Sequence, residues 1–453
     1  MKQLKISTAG IRGVVGQGMD AEVAMRFAQA FSTYMEGEPI LLARDTRPSG
    51  MLMRSAVLAG TLACGSEVVD LGVVPSPTVQ RFLAERKDSG AGIIIAAGHN
   101  PSNWNALKFL RSDGAYLNAR QGAELLEIYN HDEFLKAGWK QIKPLRYDDD
   151  SIGFHKQEIR NGFGSQALQS RRFKVAVDCC NGTCSKITPA LLESLGCEVI
   201  ALNTDPGRPF PHDPNPTPAN MNQLEALVRA VGADIGFAHD IEGERLGIVT
   251  NEGTAVSQEV TLGLAALFSL ESGFCSGPIV TNLSTSRLID EIAAPFGVAV
   301  HRSAIGQAHV VELALQLSAD FAGEGSGQVM FPKLHPGSDG IAAVVFILAN
   351  LARRDEDIAT IIGQLPRFHM IKENVLLASD VLYRKIQVFR SEAEKREQSW
   401  KVDLTDGIKM ESHDGWIHVR ASSTESMLRI ITESPERAKA EELHRWAHDL
   451  LVE

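Results

Sequence analysis

Gly92-Ile93-Ile94-Ile95-Ala96-Ala97-Gly98-His99-Asn100-Pro101 joins a short apolar run to a loop of glycine, histidine, asparagine and proline. The run is too short for a typical helix and rich in β-branched residues, so it reads as a buried strand. In open α/β sheets ligands bind beyond the carboxyl ends of such strands, which draws attention to the loop. The same grammar spreads outward from it. Upstream, Pro39 to Ala43 and Glu67 to Leu71 are strand-like, with helical spacing over Met51 to Cys64 between them. Downstream, strands are predicted at Lys174 to Asp178, Glu198 to Leu202 and Asp234 to Ala238. Helices are predicted at Ser185 to Leu195 and Met221 to Val231. Further strands follow at Pro278 to Thr281, Val298 to His301 and Ala319 to Ala322, again with helices between. Alternation of this kind predicts βαβ units and a mainly parallel sheet. From about Phe368 the pattern changes. A charged helical stretch (Val381 to Glu397), short strands and a final helix (Glu433 to Leu451) make an α+β unit. The expected units are 1–150, 151–255, 256–367 and 368–453.

The chain has 453 residues, enough to bury several cores without disulfides or structural metals. Its formal charge of −11 argues against a nucleic-acid backbone or an anionic membrane as main partner, yet allows a local basic pocket for a small anion. The six cysteines form no disulfide framework, and Cys179, Cys180 and Cys184 lack paired C-x-x-C spacing. No apolar leader opens the chain, and the longest apolar run, Ile341 to Ala349, is too short to span a bilayer and reads as a buried helix. The cytoplasm is the expected compartment.

Four loops carry chemistry. The first holds Gly98 and His99. The second, His239-Asp240-Ile241-Glu242-Gly243-Glu244-Arg245, also follows a strand. Its carboxylates at i, i+2 and i+4 suit one hard cation such as Mg²⁺ if the loop curls. The third, Gly323-Glu324-Gly325-Ser326-Gly327-Gln328, lets backbone approach a ligand while Glu and Ser meet sugar hydroxyls. The fourth, Arg420-Ala421-Ser422-Ser423-Thr424-Glu425-Ser426 with Arg429 beyond, sets hydroxyls between arginines and reads as a phosphate cradle.

Together, in this order, the loops resemble those of the α-D-phosphohexomutase superfamily of phosphoglucomutases, phosphomannomutases and phosphoglucosamine mutases. Ser7-Thr8-Ala9-Gly10-Ile11-Arg12-Gly13 is similar to the family's G-T-x-G-I-R-G. Ala43-Arg44-Asp45-Thr46-Arg47-Pro48-Ser49 is similar to its G-R-D-T-R-x-S. Phe210-Pro211-His212-Asp213-Pro214-Asn215-Pro216 is similar to the proline-rich segment of its second domain. The resemblance implies four domains around one cleft, three α/β with mixed, mainly parallel sheets and a last α+β. It implies an isomerase that moves a phosphoryl group within a hexose phosphate, with Mg²⁺ and a hexose 1,6-bisphosphate as helpers. By position it implies that Arg12, His99, Lys108 and Arg245 lie at the catalytic end. Asp240, Glu242 and Glu244 would hold the cation, and Glu324 and Ser326 the sugar. Arg420, Ser422, Ser423 and Thr424, with Arg429 outlying, would hold the phosphate. Arg44 and Arg47 are expected to support the first loop.

The departures are as telling. Family members carry T-A-S-H-N-P with a phosphoserine, and here that position is Gly98, which has no oxygen to phosphorylate. The family's D-G-D-G-D-R reads Asp240, Glu242, Glu244, two side chains being longer by a methylene. Gln328 stands for a histidine, and Gln307 for an aspartate. Three readings follow. One is a family protein that binds hexose phosphates with Mg²⁺ but without phosphoserine turnover, serving a protein partner. Another is an active mutase with a different phosphoryl carrier. The last is a metal-dependent phosphosugar hydrolase.

Overall fold

The computed structural model describes residues 4–7, 10–86, 90–163, 168, 171–421 and 427–452. Four sheets organise them. The first comprises β1 (Leu4–Ser7), β2 (Gly10–Val14), β3 (Ile40–Arg44), β4 (Val68–Val73), β5 (Ala91–Ile95), β6 (Trp104–Leu110) and β7 (Leu145–Tyr147), in the order β1-β2-β6-β5-β3-β4-β7. Its β5-β3-β4-β7 half is parallel and its β1-β2-β6 half antiparallel. The second sheet comprises β8 (Lys174–Asp178), β9 (Glu198–Leu202), β10 (Ile235–His239) and β11 (Leu246–Thr250), in the order β11-β10-β8-β9. The third comprises β12 (Ile279–Asn282), β13 (Val300–Ser303), β14 (Phe321–Glu324) and β15 (Gln328–Met330), in the order β13-β12-β14-β15. Both are parallel except at one edge, where β11 and β15 run antiparallel to their neighbours. The fourth comprises β16 (His369–Leu376), β17 (Lys401–Asp403), β18 (Ile408–Ser412), β19 (Gly415–Ala421) and β20 (Met427–Ser434), and is antiparallel throughout. The architecture is thus three α/β units with mixed sheets and an α+β unit.

Local chemistry accounts for the elements. All five residues of β5 are buried, as its β-branched run demands. The helix Gly340–Leu351 is buried on nearly every side and joins the cores beneath the second and third sheets. Asp339 caps it. One carboxylate oxygen accepts from the Ile341 and Ala342 amides at 3.0 and 2.8 Å, and the other from His155 and His335 at 2.8 and 3.2 Å.

Two expected helices are shorter than their periodicity suggested. Ser185 to Leu195 divides into a tight turn, Thr183–Lys186, and a helix, Thr188–Ser194. Pro189, which cannot donate to a preceding turn, sits where a new helix begins. The final helix starts at Arg437, because Glu433 and Ser434 finish β20 and Pro435 keeps its predecessor extended. No helix among the described residues is long and apolar enough to cross a membrane.

Polar contacts between the sheets bring the loops together. The Ser76 amide donates to the Glu242 carbonyl at 2.9 Å, and Arg245 bridges to Gln328. The fourth unit is tied to the third by Ser284 to His418 (2.9 Å) and Lys372 to Glu259 (2.9 Å).

Candidate functional site

The first three loops are the tips of antiparallel hairpins, β5–β6, β10–β11 and β14–β15, and the antiparallel pair β19–β20 flanks the fourth. The first three lie beyond the carboxyl ends of strands paired in parallel with others, where backbone groups are left for a ligand. A cavity of about 400 Å³ between the units is lined by Arg12, Arg245, Glu324, Ser326, Arg420 and Arg429, with His418 and Lys372 beside them. In a chain of net charge −11, this cluster of cations in one cleft favours a small anion. Ser422, Ser423 and Thr424 lie outside the described residues, so the expected phosphate cradle is represented by its flanking arginines.

Gly98 is buried at the end of β5 with φ +55°, a conformation that favours glycine. Arg47, itself buried, holds the loop, donating to the Gly98 carbonyl at 2.9 Å and the Trp104 carbonyl at 3.0 Å. That is the supporting position expected of Arg47, whereas Arg44 donates to the Asp45 carbonyl. His99 beside them is held well below its ordinary pKa by the charge of Arg245, then by burial and by Arg12 and Lys108. It is therefore a neutral imidazole among cationic side chains.

The acidic loop departs from expectation. Asp240, Glu242 and Glu244 are all buried, but they do not surround a common point open to a cation. Asp240 Oδ1 accepts from the Glu244 and Arg245 amides at 3.0 and 3.2 Å, which turns it into a brace for its own loop. Lys108 Nζ lies between the other two, 2.6 Å from Glu242 Oε1 and 3.1 Å from Glu244 Oε2. Glu242 Oε2 accepts from Ser76 Oγ at 2.8 Å, and Tyr116 donates to Glu244. Among the described residues no three acidic, histidine or cysteine side chains gather as a cation site. The three carboxylates expected to hold Mg²⁺ are thus engaged within the chain. The cation in their midst is an ammonium, because the longer Glu242 and Glu244 side chains reach Lys108.

The electrostatics follow from this packing. Burial alone would push the Glu242 carboxyl up, but the Lys108 charge holds it below the usual range. Burial and then the Glu242 charge lift Glu244 to about 8. Burial, followed by the Glu242 charge, lifts Asp240 to about 6. Burial opposes the Lys108 charge, yet the two carboxylates keep its pKa above the ordinary lysine value.

At the sugar loop, Glu324 is buried at the end of β14 and accepts from Asn282 Nδ2 at 2.5 Å and from the Gly306 amide at 3.2 Å. Ser326 Oγ donates to Gln328 Oε1 at 3.0 Å, and Gln328 Nε2 reaches Gln307 at 3.1 Å. Two departures from the family pattern therefore meet each other. Gly325 is required by its neighbour: a Cβ there would lie 1.9 Å from the Glu259 carboxylate, which takes the space of any side chain at this position. Arg420 is oriented by Asp406, 2.7 Å from its Nε, and Arg429 stands opposite it on β20.

Sequence reasoning missed Ser76, Tyr116 and Asp406. Ser76 follows β4, another strand of the parallel half, so the strand-end rule that singled out Gly98 applied to it equally. Tyr116 and Asp406 carry no local signal.

His418, between the third and fourth units, is a neutral donor and acceptor. Its Nε2–H donates to the Asp406 carbonyl at 2.7 Å, leaving Nδ1 to accept from Ser284 at 2.9 Å. Burial lowers its pKa to about 4 from an ordinary 6.5. A folded pKa below the unfolded one means stability that is full above pH 6.5 and is lost as pH falls towards 4. A His418→Gln variant is expected to lose less stability than the parent over that window, by up to roughly 1.4 kcal/mol per pH unit. Urea unfolding at a series of pH values checks this, and parallel profiles contradict it.

Comparisons with known proteins agree with this arrangement along the whole chain. Family models described as phosphoglucomutase/phosphomannomutase, alpha/beta/alpha domains I, II and III, match residues 3–136, 155–253 and 258–368. The C-terminal domain of the same description matches 383–447. A "Phosphoglucomutase/phosphomannomutase" of Thermococcus kodakarensis is 32% identical over 453 residues, covering 98% of each chain. A "Probable phosphoglucosamine mutase" of Methanopyrus kandleri is 33% identical over 439 residues, covering 96% of this chain and 95% of its own. The crystal structure of a phosphoglucomutase/phosphomannomutase family protein from Burkholderia thailandensis superposes with a TM-score of 0.84 at 27% identity, covering 98% of both chains.

Proposed function

The chain belongs to the phosphoglucomutase/phosphomannomutase family, and from that premise we propose that it binds hexose phosphates in the central cleft without phosphoserine turnover. One observation carries the reading: Arg12, Arg245, Arg420 and Arg429 share a cavity of about 400 Å³ with Glu324 and Ser326. Guanidinium groups suit the phosphate, and the carboxylate and hydroxyl suit the sugar. Arg420 and Arg429 face the non-reacting phosphate, while Arg12, His99, Lys108 and Arg245 face the other end of the hexose. At that end Gly98 offers no nucleophile, and neutral His99 serves in proton exchange. The names of the relatives favour the mutase alternative over the hydrolase one. The first needs a phosphoryl carrier in place of Gly98, and the second needs a metal-bound water where Lys108 sits.

Titration calorimetry with glucose 1-phosphate tests the reading. The parent is expected to bind, and Arg420→Ala to bind roughly tenfold to a hundredfold more weakly, as loss of charge-assisted hydrogen bonds dictates. Glu324→Gln is expected to weaken binding by a smaller factor. Unchanged affinity in Arg420→Ala, in a protein of parental stability, contradicts the assignment.

A further inference from the structure

A Cβ built on Gly98 would lie 2.5 Å from Glu242 Oε1 and 3.5 Å from its Cδ. The space into which a side chain at position 98 would project is therefore taken by a carboxylate from another sheet. An aspartate at 242 would hold its carboxylate back by roughly one bond length, about 1.5 Å. The absent side chain at 98 and the extra methylene at 242 are two halves of one fit. Glu242 is 2% exposed, and both its oxygens are engaged, by Lys108 and by Ser76. Lys108 in turn contacts Glu244, so its ammonium stands where two carboxylates meet. Mg²⁺ needs ligand oxygens at about 2.0–2.1 Å in near-octahedral array, and it cannot share that point with an ammonium.

We infer that Glu242 and Lys108 together take the place of a phosphoryl carrier and its cation, so that the cleft binds hexose phosphates with no divalent metal. The inference rests on the hexose phosphate reading for its ligand but on the chain's own geometry for its cation. The carboxylate supplies the negative group opposite the sugar, and the lysine supplies its permanent counter-charge. Both are covalently part of the chain and already paired, so the site needs neither phosphorylation nor metal loading to reach its binding form.

Two measurements test this on the whole protein. Mn²⁺ titration followed by electron paramagnetic resonance is expected to find no ion bound to the parent at the acidic loop. Lys108→Met, which frees Glu242 and Glu244, is expected to acquire Mn²⁺. A parent that binds Mn²⁺ and loses it in Glu244→Gln overturns the inference, as does a folded Lys108→Met that takes none. Should Lys108→Met fail to fold, the parent and Glu244→Gln still decide the matter. Calorimetry with glucose 1-phosphate in EDTA and in excess Mg²⁺ is expected to give affinities within about threefold of each other, and a tenfold or greater loss in EDTA overturns the inference. Absence of glucose 1-phosphate binding under both conditions refutes the hexose phosphate reading instead, leaving the Mn²⁺ result to judge the cation claim.

Discussion

A Gly98→Ser variant is expected to be less stable than the parent by about 2–5 kcal/mol and to show no mutase turnover with glucose 1-phosphate, Mg²⁺ and glucose 1,6-bisphosphate. The cost has two sources. A side chain at φ +55° is strained, by about 1–2 kcal/mol. Its Cβ also meets the Glu242 carboxylate at 2.5 Å, and overpacking of a filled site adds roughly 1–3 kcal/mol. The carboxylate cannot simply swing aside, since Lys108 and Ser76 hold both oxygens. Shortening it should relieve the overlap. In a Gly98→Ser, Glu242→Asp double variant the losses are therefore expected to be less than additive, with a coupling of about 1 kcal/mol or more. Urea unfolding of the two single variants and the double variant measures this. Strict additivity contradicts the claim that residues 98 and 242 compete for one space.

Lys108→Met is expected to have the largest effect on stability, a loss of about 3–5 kcal/mol, because it strips the counter-charge from two buried carboxylates. Its pH dependence carries a definite sign. In the parent, Glu242 is held below its ordinary pKa, so it contributes stability above pH 4.5 that disappears as pH falls. Without the ammonium, burial lifts the Glu242 carboxyl as well as that of Glu244, already at about 8 in the parent, and stability then falls more steeply as pH rises. The gap between variant and parent is expected to widen from pH 5 to pH 8. Thermal melts at both pH values check this, and a constant gap contradicts it.

Much of this was readable from the chain alone, for physical reasons that also mark the limit. Buried parallel strands declare themselves as short apolar runs, so β3, β5, β8, β9 and β10 were placed within a residue or two at most ends. The strands β6, β11 and β15, antiparallel to β5, β10 and β14, follow the loops directly and were not separated from them. Hence the loops were legible as strand-end loops but not as hairpin tips. The residues lining the cleft, Arg12, Arg245, Glu324, Ser326, Arg420 and Arg429, were all named from sequence. The surroundings of the acidic loop were less legible. Spacing of Asp240, Glu242 and Glu244 describes one loop, whereas Lys108 and Tyr116 reach its carboxylates from the first unit. Position 98 likewise read as a loss, and its meaning depends on a carboxylate that no pattern in the sequence connects to it. Gly325 repeats the lesson at the sugar loop, where Glu259 fills the space of the missing side chain.

Phosphorus NMR of the parent mixed with glucose 1-phosphate, glucose 1,6-bisphosphate and Mg²⁺ tests the central claim most directly. The glucose 1-phosphate resonance is expected to shift or broaden as it binds, with no 6-phosphate signal growing in. Steady accumulation of glucose 6-phosphate, at a rate proportional to protein concentration, would contradict it.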